Sequence, residues 1–126
     1  MDQNSITLKT VNAEELLELK KANSNLVVID VRRIDEWKLY GIIEDSILLE
    51  FFDSTGNYDI ESWLNKLSIY VTAKDIPFVI YCAHANRTKV IGNFLINELG
   101  YSNLYELDGG INYGWLDKGY KTVEYK

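Results

Sequence analysis

The sequence predicts an α/β domain with a central, mostly parallel sheet flanked by helices. Short apolar runs, typical of buried parallel strands, alternate along the chain with amphipathic segments of helical period. The 126 residues, 47% of them apolar, are enough for one hydrophobic core. The sequence contains no internal repeat, low-complexity tract or linker rich in Pro, Gly or Ser. Residues 1–126 are therefore predicted to form a single domain.

The first half of the chain predicts a helix, a buried strand and then three further elements. Asn12, followed three residues later by Glu15, is the signature of a capping box at a helix start. The apolar run over 26–31 ends in charged residues and predicts a buried parallel strand. The remaining elements are a short helix near 35–40 that Gly41 ends, a strand over 47–49 and a helix over 60–67.

The second half predicts two further strands around the most regular helix of the chain. Pro77 precedes a buried strand over 78–81, where its missing N–H does least harm. The helix spans 86–99 and ends at Gly100. Its predicted apolar face consists of Val90, Ile91, Phe94, Leu95 and Leu99. A last strand over 103–107 precedes Gly109 and Gly110, which open a final helical segment carrying Trp115.

Three side chains with chemical potential fall at predicted strand ends. Asp30, Cys82 and Asp108 each stand at the carboxyl end of a strand. Because open parallel sheets bind ligands beyond the carboxyl ends of their strands, the three positions indicate where a site would lie.

Cys82 is the feature most indicative of chemistry. It is the only cysteine, it stands two residues before the only histidine, His84, and Arg87 follows five residues after it. A thiol between a strand end and a helix start lies among amides that lack intrahelical partners, at the positive end of the helix dipole. These groups and a nearby arginine favour the thiolate, so the sequence predicts a reactive cysteine in an anion-binding loop.

The charge distribution indicates a small anionic substrate. The formal net charge of −6 argues against nucleic acid and against anionic membrane surfaces as partners. Residues 76–97, however, contain no Asp or Glu and include Arg87 and Lys89.

The expected location is the cytoplasm. A single cysteine allows no disulfide within the chain, so nothing points to an oxidising compartment. Residues 1–5 lack the charged and apolar regions of a signal peptide, and the apolar runs are far shorter than the ~20 residues that cross a bilayer.

Four separated motifs, taken together, resemble a single rhodanese domain. Each motif alone is weak, but the four occur in the family's order and span nearly the whole chain. They are Asp30-Val31-Arg32, then Glu36-Trp37 with Gly41, then Tyr81-Cys82 with Arg87-Thr88 five residues on, and finally Leu107-Asp108-Gly109-Gly110 with Trp115.

The resemblance implies a central parallel sheet and sulfur transfer through a cysteine persulfide on Cys82. It implies no metal and no cofactor. The substrate-binding loop would consist of Ala83, His84, Ala85, Asn86 and Arg87, and its structural support would come from Asp30, Arg32 and Thr88. The partners would be a small anionic sulfur donor, either thiosulfate or a persulfide or polysulfide, and an external acceptor such as cyanide, a small thiol or a protein thiol. The acceptor is external because the sequence has no second cysteine.

The sequence departs from the family pattern at four places, one of which is the spacing from Gly109-Gly110 to Trp115, one residue longer than usual. The family usually has a basic residue where Ala83 stands, so a charge that would help hold thiosulfate is absent. It has glycine at the position of Ala85, where a positive φ would cost alanine ~1 kcal/mol or more. The stretch over 41–46 also differs from the family's Gly-His-Ile-Pro-Gly-Ala.

Two other function classes stay open. A cysteine phosphatase or an arsenate reductase of related fold uses a similar loop, but places its arginine six residues after the cysteine rather than five. A non-catalytic binding module of the same fold is the other alternative. Among single residues, His84 is equally consistent with substrate contact and with a solvent-facing position.

Overall fold

A computed structural model describes residues 6–126. The prediction about residues 1–5 lies outside that range. The strands are β1 (Lys9–Val11), β2 (Val27–Asp30), β3 (Ile47–Leu48), β4 (Phe78–Tyr81) and β5 (Leu104–Leu107). The helices are α1 (Ala13–Ala22), α2 (Ile34–Tyr40), α3 (Ile60–Tyr70) and α4 (Asn86–Leu99), and a single π-helical turn spans Asn112–Leu116.

The five strands form one parallel sheet in the order β1-β5-β4-β2-β3. This architecture confirms the predicted α/β fold. The sequence did not predict β1, because its three residues are largely exposed and show no apolar run. In the centre of the sheet, Asp30 of β2 pairs in register with Tyr81 of β4, and Ile80 of β4 pairs with Glu106 of β5. The ends of these three strands therefore lie side by side.

The predicted helix start at Asn12 is confirmed. The Asn12 side chain accepts a hydrogen bond from the Glu15 amide at 2.8 Å, and the Glu15 carboxylate accepts one from the Asn12 amide at 2.9 Å. This reciprocal cap satisfies two amides that a helix end otherwise leaves unpaired.

Each face of the sheet supports its own hydrophobic core. On one face, α3 and α4 contribute Trp63, Leu67, Ile91 and Leu95 against the strands. On the other face, Leu16 of α1 and the final segment with Trp115 cover Val28, Val79, Tyr81 and Leu107. A sheet covered on both faces explains why β4 is apolar throughout and buried at every position.

The predicted apolar face of α4 is partly wrong. Val90 is 65% exposed and Phe94 36% exposed, whereas the buried positions are Thr88, Ile91, Gly92, Leu95 and Ile96. The helix is rotated so that Gly92 faces Leu8, whose side chain lies so close that a Cβ at Gly92 would come 2.8 Å from it. A small residue and a buried threonine belong to the contact face, and hydrophobicity alone could not assign them there.

The final helical segment has an unusual form. The predicted helix after Gly110 is a π turn over Asn112–Leu116 that presents Trp115 to the core, where the indole is 5% exposed. The indole N–H donates to the Lys121 carbonyl at 2.9 Å, which ties the following chain to the domain.

In residues 6–126, no helix combines the length and the apolar character that crossing a membrane requires.

Candidate active site

The site lies at the carboxyl end of β4, as the sequence predicts. Cys82 directly follows the last residue of β4, and Asp30 and Asp108 stand at the ends of the neighbouring strands β2 and β5. The three positions lie at the same end of the sheet, where the carboxyl ends of these strands meet. Only Cys82 lies in the loop that joins β4 to α4.

Backbone hydrogen bonds from the last segment of the chain shape this loop. The amide of Ile111 donates to the Cys82 carbonyl at 2.8 Å, and the amide of Asn112 donates to the Ala83 carbonyl at 3.0 Å. In a trans peptide the N–H points opposite to the C=O. The amides of Ala83 and His84 therefore face away from the final segment.

Gly110 allows this close approach. Its φ is +67°, and a Cβ there would lie 2.6 Å from the Cys82 carbonyl oxygen and overlap the Ala83 carbonyl. No side chain fits between the two segments, so the glycine is required both for its backbone angle and for space.

Ala85 completes the loop in a strained conformation. It adopts the left-handed region, with φ +66° and ψ +13°, as the residue before α4. This confirms the expectation that alanine must tolerate a positive φ where the family has glycine. Within residues 6–126, the amides of Ala83, His84 and Ala85 find no hydrogen-bond acceptor. The loop therefore has three amide donors that no described protein acceptor satisfies, a property shared by anion-binding nests.

The Cys82 side chain is buried at the point where this loop begins. The residue is 1% exposed and is a free thiol. Its S–H donates to Thr88 Oγ1 across 3.8 Å, and the Thr88 hydroxyl donates to Glu106 Oε1 at 2.8 Å. Thr88, predicted as loop support, thus contacts the thiol directly from the first turn of α4.

Arg87 lies beside the site but forms an ion pair with Glu36 of α2. Its Nη1 and Nη2 donate to Glu36 Oε1 and Oε2 at 2.8 and 2.9 Å. The hydrogen bonds that Arg87 donates to Glu36, together with the charge of Glu36 and the neighbouring Cys82 sulfur, raise the pKa of Arg87 against the effect of burial. Burial also opposes ionisation of Glu36, but the bonds from Arg87 prevail and lower the pKa of that carboxyl. Both groups therefore stay charged, and the role of Arg87 in substrate binding remains a prediction.

The fold changes the interpretation of the acid-free segment. Residues 76–97 contain no carboxylate in sequence, yet α2 supplies Glu36 to Arg87 and β5 supplies Glu106 to Lys89, whose Nζ lies 2.9 Å from Glu106 Oε2. Each cation is thus paired with an anion from elsewhere in the chain. An anion in the loop would therefore be held mainly by backbone amides rather than by uncompensated charge.

Asp30 and Arg32 form a fully buried ion pair. The Arg32 guanidinium donates to both Asp30 oxygens, the shortest bond being 2.7 Å, and to the Gly41 carbonyl at 2.8 Å. Burial opposes the charge of Arg32, but the hydrogen bonds and charge of Asp30 raise the pKa of the guanidinium overall. These contacts brace the turn after α2 instead of the Cys82 loop itself.

His84 occupies the solvent-facing rim of the loop. Its Nε2 lies 3.2 Å from Asn112 Nδ2, and its ring centroid lies 4.5 Å from that of Tyr113. Asn86 is exposed on the same loop. The roles of His84 and Asn86 in substrate binding remain predictions. Among residues 6–126, no three His, Cys, Asp or Glu side chains are grouped as metal ligands.

Sequence reasoning missed two carboxylates near the site. In the sequence, Glu36 stands out only as part of a motif, and nothing indicates a role for Glu106. The sequence contains one indication that Glu106 is unusual. It is the single carboxylate in the predicted strand over 103–107, so it is either buried or at an edge of the sheet. Only the structure shows that it is 3% exposed and hydrogen-bonded to Thr88.

Comparison with known proteins agrees with this geometry. A family model described as the rhodanese-like domain matches residues 12–118. The chain belongs to this family. An uncharacterized protein of Rickettsia prowazekii is 32% identical over 101 residues, which cover 79% of this chain and 80% of the relative. A tRNA uridine(34) hydroxylase of Chlamydia muridarum is 29% identical over 105 residues, covering 82% of this chain but 30% of the hydroxylase.

Solved structures with the same fold include two named sulfurtransferases. A polysulfide-sulfur transferase homodimer of Wolinella succinogenes superimposes with a TM-score of 0.69 and 21% identity, over 94% of this chain and 80% of that one. A thiosulfate sulfurtransferase of Pseudomonas aeruginosa gives a TM-score of 0.71 and 21% identity, over 94% of this chain and 21% of that one. At these identities the likeness establishes the fold.

Proposed function

We propose that the protein is a sulfurtransferase that carries a sulfane sulfur as a persulfide on Cys82. The observation that supports this most is the position of the thiol, at the base of a loop whose amides have no protein acceptor. The membership in the rhodanese-like family and the fold shared with named sulfurtransferases agree with it.

The proposed reaction has two displacements on sulfur. In the first, the Cys82 thiolate attacks the outer sulfur of an anionic donor, such as thiosulfate or a polysulfide. A new S–S bond forms, the donor's own S–S bond breaks, and the leaving group departs with the electron pair. In the second, an acceptor thiolate or cyanide attacks the outer sulfur of the persulfide and releases Cys82 as a thiolate.

The loop suits this chemistry because donor, leaving group and persulfide are all anions. Amides of Ala83, His84 and Ala85 supply fixed donors that need no reorganisation when charge moves from one sulfur to the next. Arg87, held by Glu36, adds a permanent positive charge beside them. A location in the cytoplasm and an acceptor that is a small thiol or a protein thiol are parts of the same proposal.

A mass measurement tests the first displacement. After incubation with thiosulfate, and separately with inorganic polysulfide, the protein should gain ~32 Da on Cys82, and added cyanide should remove this mass and release thiocyanate. Cys82→Ser should acquire no adduct while unfolding at the same urea concentration, because a hydroxyl cannot form a persulfide. Asn93→Ala, on the exposed side of α4, serves as a control that should load normally.

The same experiment separates the alternatives. Hydrolysis of an aryl phosphate at a rate comparable to sulfur transfer would favour a cysteine phosphatase. The absence of an adduct with either donor, in a protein whose thiol still reacts with iodoacetamide, would favour a non-catalytic binding module. The five-residue spacing from Cys82 to Arg87 leads us to expect neither result.

A further inference from the structure

Glu106 is a buried carboxylate for which the proposed sulfur chemistry has no use. It lies on β5, between β1 and β4, and is 3% exposed. Burying an ionised carboxylate in the middle of a sheet is costly unless hydrogen bonds and a counter-charge compensate. Here Thr88 Oγ1 donates at 2.8 Å, Lys89 Nζ at 2.9 Å and Thr10 Oγ1 at 3.4 Å.

The hydrogen bonds have a defined direction. An ionised carboxylate only accepts, so the single hydroxyl proton of Thr88 must point to Glu106. The Thr88 oxygen then offers a lone pair to Cys82, whose S–H donates to it across 3.8 Å. Thiol, hydroxyl and carboxylate thus form one continuous chain, in which the thiol holds the transferable proton.

Since the chain connects the nucleophile to a carboxylate, and if Cys82 is the sulfur carrier proposed above, we propose that Glu106 is a positioning residue that takes up the Cys82 proton through Thr88. The S–H proton moves to Thr88 Oγ1 while the Thr88 proton moves to Glu106. The sulfur is left as a thiolate, and its electron pair forms the bond to the donor's outer sulfur. When the acceptor has removed that sulfur, the two protons move back and the thiol is restored.

The hydrogen bonds around Glu106 differ before and after the proposed transfer. Before transfer, Thr88 and Lys89 of α4 and Thr10 of β1 face the carboxylate, and Ile80 of β4 is its apolar neighbour in register. After transfer, the carboxyl group donates to Thr88, and Thr88 donates to the thiolate. The number of protons is the same in the two states, so the thiol can ionise without exchanging a proton with water at the mouth of the loop.

The shape of a pH profile tests this coupling. The probe is iodoacetamide, and the readout is the rate of alkylation of Cys82, the only thiol, between pH 4 and 10. Two coupled groups titrate in two macroscopic steps. As the pH rises, the alkylation rate of the wild type should therefore increase in two steps, one acid and one alkaline, with a plateau between them. Glu106→Gln cannot accept a proton, so the plateau should be absent from its profile. Its alkylation rate should instead fall about tenfold for each unit by which the pH is lowered through the acid range.

Variants at Thr88 make the test independent of how well Glu106→Gln folds. Thr88→Val removes the relay and should give the same single-step profile, whereas Thr88→Ser keeps the hydroxyl and should keep two steps. Glu98→Gln removes one exposed carboxylate from α4 and should match the wild type. A wild-type profile that already has a single step, or one that is unchanged in Glu106→Gln or in Thr88→Val, would overturn the proposal.

This result is separate from the outcome for sulfur transfer. A two-step alkylation profile without persulfide formation would leave the coupling standing and refute the sulfurtransferase proposal. Persulfide formation with identical alkylation profiles in wild type and Glu106→Gln would support the sulfurtransferase proposal and refute the coupling of Cys82 to Glu106.

Discussion

The loops that follow β2 and β4 lie at the same edge of the sheet, on adjacent strands, yet only one has the properties of a site. After β2, the Asp30 carboxylate accepts bonds from the Arg32 amide and guanidinium, and the Val31 amide donates to the Tyr81 carbonyl. After β4, the final segment occupies the carbonyls of Cys82 and Ala83, and the amides of the loop find no acceptor in residues 6–126. A strand end becomes a candidate site when its donors are left in surplus. A position at the carboxyl edge of the sheet does not by itself make a strand end a candidate site.

The largest effect on stability should come from removing the ion pair in the loop after β2. Asp30→Asn leaves Arg32, which is 0% exposed, without its counter-charge. Loss of one partner of a buried ion pair should lower the free energy of unfolding by about 3–5 kcal/mol, measured by urea denaturation. Asp35→Asn is the control, because Asp35 is 69% exposed in its 3.3 Å pair with Arg33 and should cost less than about 1 kcal/mol. Equal costs for the two variants would contradict this account of the β2 loop.

The next prediction compares two glycine substitutions, of which one adds steric overlap and backbone strain and the other adds backbone strain alone. Gly110→Ala adds a methyl group that would overlap the Ala83 carbonyl, at φ +67°. Gly100→Ala places alanine at φ +79° with no atom within 4 Å, so it should cost only the strain of about 1–2 kcal/mol. Gly110→Ala should cost more in urea denaturation and should also slow alkylation of Cys82, which Gly100→Ala leaves unchanged. Similar alkylation rates in the two variants would show that the Cys82 loop does not depend on this close approach.

A smaller and pH-dependent effect is expected where the two loops are linked through α2. Because Arg87 holds the pKa of Glu36 below its ordinary value of 4.5, the pair stabilises the fold above that pH and loses this contribution as the pH falls through the lowered pKa. Glu36→Gln should therefore lower the free energy of unfolding by about 1–2 kcal/mol at pH 7. The difference from wild type should shrink toward zero below pH 4.5.

Stability curves against pH decide this prediction. Glu44→Gln, at an exposed carboxylate that precedes β3, should run parallel to the wild type. A Glu36→Gln deficit that is the same at pH 3 and pH 7 would show that lost packing, and not the ion pair, is responsible.

The smallest effect has the opposite sign and concerns two alanines of the same loop. Ala85→Gly relieves a left-handed conformation and should raise the free energy of unfolding by up to about 1 kcal/mol, after allowance for the greater entropy of unfolded glycine. Ala83→Gly relieves no positive φ and should lower it by about 0.5–1 kcal/mol. Thermal unfolding of the two variants beside wild type measures the contrast, and changes of the same sign would refute the assignment of strain to Ala85.

Local patterns in the sequence predicted most of the fold, since they report on burial along one strand or one helix. The apolar runs that became β2 and β4, the capping box at Asn12 and the bounds of α4 all depend on neighbours in the chain, and all were found in the structure. The three-residue β1 could not be predicted, because its place at the sheet edge is defined by pairing with β5, far away in sequence. The burial of Thr88 and Gly92, in place of Val90 and Phe94, likewise depends on what packs against α4.

The sequence by itself determined that Cys82 is the single thiol, that it stands at the end of a strand and that Arg87 follows it by five residues. Each of these is a property of one short segment. Only the tertiary structure decided the electrostatics around the sulfur, because Glu36 and Glu106 come from a helix and a strand that are remote in the chain. A charge acts through distance in space, and a sequence records distance only along the backbone.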